Sequence, residues 1–115
     1  MTVLIVDDDK SMLLMLGLHL SRAGYKTTSA SDSDEALAAL KETPFDWLLL
    51  DGEIFPIDGF KLSRKAKDMH PNMRIAMLSG IYEPADIKGQ PIEKLFQKPL
   101  DTHALISYLR EPLRT

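Results

Sequence analysis

The sequence predicts an α/β protein built on a doubly wound parallel sheet. Five short apolar runs alternate with helix-like segments along the 115 residues, the pattern of βαβ units with right-handed crossovers. The runs Val3-Leu4-Ile5-Val6 and Trp47-Leu48-Leu49-Leu50 are continuously apolar, as strands covered by helices on both faces must be. Both runs finish in carboxylates, Asp7-Asp8-Asp9 and Asp51, where a Gly, Asn or Ser turn is the commoner ending.

Residues 2–6 read as the first strand and 11–23 as a helix stopped by Gly24. Asp9 suits the start of that helix, as a cap or as a negative charge on its dipole. Residues 26–30 read as the second strand. Ser33 is placed to cap a helix running to about residue 41, and Pro44 blocks its extension. Residues 46–50 form the third strand. A loop containing Pro56 and Gly59 leads into a helix over 60–69. Residues 74–78 read as the fourth strand, 94–97 as a short fifth and 102–110 as the last helix. Between the last two strands, Pro84, Gly89 and Pro91 leave room for little more than one turn at 84–88. The fourth helical segment is therefore expected to be short or irregular.

A chain of this length suggests one domain over residues 1–115. A hydrophobic content of 44% suits a globular core. No apolar run is long enough to span a bilayer, and the N-terminus lacks a basic-then-apolar signal pattern, so no membrane insertion is expected. With no cysteine there is no disulfide framework, thiol nucleophile or thiolate metal site; together these features point to the cytoplasm. A net charge of −3 gives no general attraction to nucleic acid. Lys61, Arg64, Lys65 and Lys67 spread around their helix and read as solvated. Trp47 and the methionines read as core.

In open parallel sheets, ligands bind beyond the carboxyl ends of the strands, near a topological switch point. Asp7, Asp8, Asp51, Ser79 and Lys98 all fall just past a strand's end. Carboxylates gathered at one sheet edge repel by several kcal/mol at about 4 Å and intermediate dielectric. A hard divalent cation would neutralise them, which points to phosphate chemistry.

These residues carry a resemblance. Val6-Asp7-Asp8, Asp51 followed by Asp58-Gly59, Leu78-Ser79-Gly80 and Lys98-Pro99, in this order and spacing, resemble the response-regulator receiver domain over nearly the whole chain. The resemblance implies a flavodoxin-like, five-stranded parallel sheet in the order 2-1-3-4-5, with five helices. It implies that Asp51 accepts a phosphoryl group from a histidine kinase or histidine phosphotransfer protein, with Mg²⁺ as cofactor, and that binding to a downstream protein then changes. Asp8 would ligate the metal directly, Asp7 mainly through water, and the Glu53 backbone carbonyl together with Asp51 would complete the protein ligands. Lys98 and the Ser79 hydroxyl would contact phosphoryl oxygens, and the Lys98–Pro99 peptide is expected to be cis. Such a domain is not an enzyme acting on a separate substrate; it catalyses only its own phosphorylation and dephosphorylation.

The sequence departs from the family pattern in three places. Where the family usually has a loop proline, four residues after the phosphorylated aspartate, this chain has Phe55, and the proline follows as Pro56; an altered loop path without a net insertion is expected. Glu53 could bring its side chain to the metal or the phosphoryl group and tune the lifetime of the modified state. In many receivers an aromatic residue three positions before the lysine swings with the Ser/Thr hydroxyl. Here Leu95 holds that place, so the Ser79–Leu95 switch lacks its aromatic half, and Phe96 is aimed at the opposite face.

The first helix is unusually apolar. Met12, Leu16, His19, Leu20 and Ala23 share an inward stripe, while Leu14 and Leu18 fall on the other side, one turn apart. Exposed leucines at this spacing suit a partner surface, and by resemblance this helix meets the bundle that carries the phosphorylated histidine. Two other classes fit parts of the pattern. One is a degenerate receiver that binds partners without phosphorylation, against which stands the full set of acids, hydroxyl and lysine. The other is a small phosphatase, since Asp51-Gly52-Glu53 is similar to the Asp-x-Asp centre of haloacid-dehalogenase-type enzymes. Those carry the motif on their first strand and need further acids.

Overall fold

Among the described residues, an aspartate side chain starts each α-helix, and apolar strands fill the space between them. The computed structural model describes residues 1–112; the expected domain span of 1–115 therefore includes 113–115, which lie outside the described residues. The order is β1 (Thr2–Val6), α1 (Lys10–Arg22), β2 (Lys26–Ala30), α2 (Ser33–Glu42), β3 (Trp47–Asp51), α3 (Gly59–Met69), β4 (Arg74–Ser79), a 3₁₀ turn (Pro84–Ile87), β5 (Lys94–Gln97) and α4 (Thr102–Leu109). Asp9, Asp32, Asp58 and Asp101 each accept backbone N–H groups of the first helical turn, at 2.8–3.3 Å, which satisfies donors that the helix itself cannot.

The capping residue of α2 differs from the expected one. Asp32 caps, and Ser33 is the first helical residue, fully buried with its hydroxyl committed elsewhere. At the other end of α1, Gly24 takes φ = +96°, a conformation that favours glycine. The Pro84–Ile87 turn stands where the fourth helix was expected to be short, and a C-terminal Gly89 at φ = +75° follows it.

The five strands form one parallel sheet in the order β2-β1-β3-β4-β5, as the resemblance implied. Alternate residues feed two cores. Leu4, Val6, Leu48, Leu50, Ile75, Met77 and Leu95 pack on the side covered by α2 and α3. Val3, Ile5, Trp47, Leu49, Ala76 and Leu78 pack on the side covered by α1 and α4. Phe96 joins this second side and Leu95 the first, as period-2 alternation requires. Trp47 is fully buried, as expected. Of the methionines, Met73 and Met77 are buried, but Met1 is exposed and Met12, Met15 and Met69 lie only partly inside. Met1 precedes β1, and Met12, Met15 and Met69 sit on helices that pack one side on a core and turn the other to solvent.

Candidate functional site

Sheet register brings the strand ends together. Val6 pairs with Leu50, and Asp51 pairs with Leu78. Asp7 is thus level with Asp51, and Ser79 follows immediately on the other side. Ser79 pairs with Gln97, so Lys98 stands one residue beyond. The backbone ladder continues past the strands: the N–H groups of Asp7, Gly52 and Lys98 donate to the carbonyls of Ala30, Leu78 and Ser79, at 3.1, 3.1 and 2.8 Å. Side chains that emerge at this edge are held by sheet hydrogen bonds and not by a free loop.

Asp7, Asp8 and Asp51 each offer a carboxylate oxygen within 4.8 Å of the others. Asp7 and Asp51 are buried and Asp8 is exposed. Lys98 Nζ donates to Asp7 Oδ2 at 2.9 Å and reaches Asp51 Oδ2 at 3.5 Å. One ammonium therefore faces two buried carboxylates, with a third at the rim. Oxygen-only donors at this mutual distance fit a hard divalent cation.

Remaining oxygens are also assigned. Asp7 Oδ1 accepts the Asp9 N–H at 2.9 Å, and Asp51 Oδ1 accepts the Glu53 N–H at 3.1 Å. Burial pushes the Asp51 carboxyl above its ordinary range; the Glu53 N–H opposes this, the Asp7 charge adds to it, and Lys98 opposes it. Burial also works against the charge on Lys98. The hydrogen bond to Asp7 and the Asp51 and Asp7 charges outweigh it, so the ammonium is held above the usual lysine range.

Ser79 is fully buried, and its Oγ accepts N–H groups from Ile81 at 3.1 Å and Tyr82 at 2.8 Å. A hydroxyl has two lone pairs and one proton. With both acceptor positions used, the group is left with donation, the role that a phosphoryl oxygen asks of it.

Other predicted residues lie at or beyond the margin of this cluster. Glu53, two residues past Asp51 and bonded to it through its N–H, is exposed. Leu95 lies buried on the α2–α3 side of β5. Leu14 and Leu18 project from α1 at 76% and 51% exposure, and Leu14 with Lys10, Leu13 and Ser29 lines a shallow cleft of about 310 Å³. His19 is half-buried on the same helix. Both Phe55–Pro56 and Lys98–Pro99 are cis, the latter as expected.

Two features escaped sequence reasoning. The Tyr82 ring covers Gly52: a Cβ at Gly52 would lie 2.8 Å from it. The ring also meets Phe60 edge to face, with centroids 4.9 Å apart. The spacing from Ser79 gives no hint of this, because no periodic element joins the two. The other feature is the Ser33 hydroxyl, whose partner is 24 residues away.

The family model described as the response regulator receiver domain matches residues 3–110. The response regulator receiver protein CpdR of Brucella abortus is 29% identical over 114 residues, covering 96% of this chain and 95% of that one. The transcriptional regulatory protein GlrR of Escherichia coli is 28% identical over 114 residues, 96% of this chain but 26% of GlrR; this chain thus spans about a quarter of that relative. Among solved structures, the chemotaxis protein CheY4 of Vibrio cholerae superposes with a TM-score of 0.88 at 27% identity, covering 97% of this chain and 98% of that one.

Proposed function

The chain belongs to the response-regulator receiver family of two-component signalling, and from that premise we propose that Asp51 is its phosphoacceptor. The observation that carries this is the convergence of five side chains at one sheet edge. Two buried carboxylates share a single lysine, a third lies at the rim, and a buried hydroxyl is left free only to donate. A histidine kinase or histidine phosphotransfer protein is the donor.

An Asp51 carboxylate oxygen attacks the phosphorus of the donor's phosphohistidine. The O–P bond forms as the N–P bond breaks, and the imidazole nitrogen keeps the electron pair. Lys98 faces the charge on the transferring oxygens, and Ser79 donates to one of them. Sheet hydrogen bonds at Asp7, Gly52 and Lys98 hold these groups in place before the donor arrives, so little reorganisation accompanies the reaction. Asp7, Asp8, Asp51 and the Glu53 carbonyl are the groups that would hold Mg²⁺. When bound, the ion supplies positive charge against both the acids and the phosphoryl oxygens. The exposed Glu53 side chain is free to approach the modified aspartate and tune its lifetime. Ser79 and Leu95 form the output switch without the aromatic partner, and the 3₁₀ turn replaces the helix beside them. The phosphatase alternative needs its acids on the first strand, whereas Asp51 ends the third.

Incubation with acetyl phosphate and Mg²⁺ should add one phosphoryl mass to the wild type and none to Asp51→Asn, read by intact-mass spectrometry. Equal modification of both proteins would remove Asp51 from its role. The donor's surface is assigned to Leu14 and Leu18. A Leu14→Asp, Leu18→Asp double variant should lose at least about tenfold in phosphotransfer rate from its kinase, since two buried leucines are worth several kcal/mol at an interface. Uptake from acetyl phosphate should stay at the wild-type rate. An unchanged kinase rate would exclude this face.

A further inference from the structure

We propose that Ser33, at the start of α2, is a positioning residue for the loop that carries Glu53. This rests on the phosphoacceptor reading above. The loop between β3 and α3 leaves Asp51 and returns at Asp58. Its start is fixed by the Glu53 N–H on Asp51 Oδ1 and by the Gly59 N–H on the Gly52 carbonyl at 3.1 Å. Ile54 is buried in the core. Beyond it Phe55 is 73% exposed, Pro56 is exposed and has no N–H, and Ile57 is partly buried against the core.

Ser33 supplies the tie at this point. Its N–H donates to the Phe55 carbonyl at 2.7 Å, and its Oγ accepts the Ile57 N–H at 3.0 Å. Among the described residues, these two bonds are the ones that residues 55–57 make. Ser33 clamps both sides of Pro56, the residue displaced by one from its usual place in the loop.

The anchor itself is firm. Asp32 caps the Glu35 N–H at 2.8 Å, and the Glu35 carboxylate accepts from the Ser31 N–H at 2.9 Å and its hydroxyl at 3.0 Å. Ala30, three residues before Ser33, takes the Asp7 N–H at 3.1 Å. One corner of the fold thereby fixes Asp7 and the loop together. A backbone N–H could bond Phe55 from any residue; holding Ile57 as well needs an acceptor one carbon from the backbone. Ser33 is fully buried, so water does not readily replace it. Ser33 touches neither the acids nor Lys98; it acts through the loop.

Calorimetric titration with Mg²⁺ tests this on wild type, Ser33→Ala and a control, Leu105→Ala, which opens a cavity on the far side of the sheet. Ser33→Ala should weaken Mg²⁺ binding by about tenfold, the usual size of an indirect effect on a metal site. Exchange of the Ile57 amide should quicken, and uptake from acetyl phosphate at saturating Mg²⁺ should stay within about twofold of wild type. Leu105→Ala should lower the thermal midpoint but leave the Mg²⁺ constant alone, which separates positioning from mere stability. Equal Mg²⁺ constants for wild type and Ser33→Ala, with wild-type uptake intact, would overturn Ser33's role alone. Mg²⁺ binding without uptake by the wild type would sink the phosphoacceptor reading and Ser33's part in it.

Discussion

Gly59→Ala should destabilise the protein by about 3 kcal/mol and slow phosphoryl uptake from a small donor by about 100-fold. The usual rule gives the opposite sign, since alanine in a helix is better than glycine by roughly 1 kcal/mol. Space decides against it here. A Cβ at Gly59 would lie 2.6 Å from Leu50 Cδ1, 2.7 Å from the Asp51 carbonyl oxygen and 2.8 Å from Gly52 Cα. The leucine tip can rotate away; the two backbone atoms cannot. They belong to Asp51 and Gly52, so relief moves the Asp51 carboxylate. The urea midpoint should fall with an unchanged slope, and the thermal midpoint should fall by about 4 °C for each kcal/mol. A variant as stable as wild type, or one that takes up phosphate at the wild-type rate, would show that the helix start yields without disturbing Asp51.

Gly59 also shows what the sequence can and cannot disclose. The Asp58-Gly59 pair was visible as part of a spaced pattern, and so were the strands, because a strand buried on both faces must be apolar throughout. The acid site was legible for a related reason. Charged residues directly after such strands have nowhere to go but the sheet edge, and the register that joins Asp7 to Asp51 follows from two apolar runs of similar length. Caps were less legible. Ser31-Asp32-Ser33-Asp34 offers four side chains able to cap α2, and only the pull of Phe55 and Ile57 on Ser33 leaves the task to Asp32.

Long-range polar pairings lay beyond reach altogether. Arg74 binds Glu93 through two bonds of 2.8 and 2.6 Å while Tyr108 donates to the same carboxylate at 2.9 Å. Burial alone would raise the Glu93 pKa, but these partners, and the Arg74 and Lys67 charges, hold it below the usual range. Nothing in the local pattern singles out those three residues, because Arg74 is on β4, Glu93 precedes β5 and Tyr108 is on α4, and they pair by tertiary contact. Hydrophobic pattern is periodic and so readable; a polar network is a set of coincidences that only the fold creates.

The same distinction governs Lys98, whose worth depends on burial that no sequence shows. Lys98→Met should cost about 3 kcal/mol in metal-free buffer at neutral pH, because it leaves Asp7 buried without its partner and Asp51 without its nearest cation. The pH dependence follows from Asp51. Its folded-state pKa is already raised, so the native state binds that proton more tightly than the unfolded chain does. That contribution is present below the unfolded carboxylate pKa and is lost as pH rises through the folded value. Removing the lysine raises the folded value further, so the loss is larger. The stability gap between variant and wild type should therefore widen from about pH 4 to about pH 7, read by urea denaturation in chelator. Mg²⁺ should close part of it, since a cation that binds only the folded acids stabilises them by mass action. Adding Asp51→Asn to Lys98→Met should recover roughly half of the loss by removing one of the two stranded charges. A gap that stays constant with pH, or a double variant no better than Lys98→Met, would mean that the lysine acts by packing and that the acids are neutralised by other means.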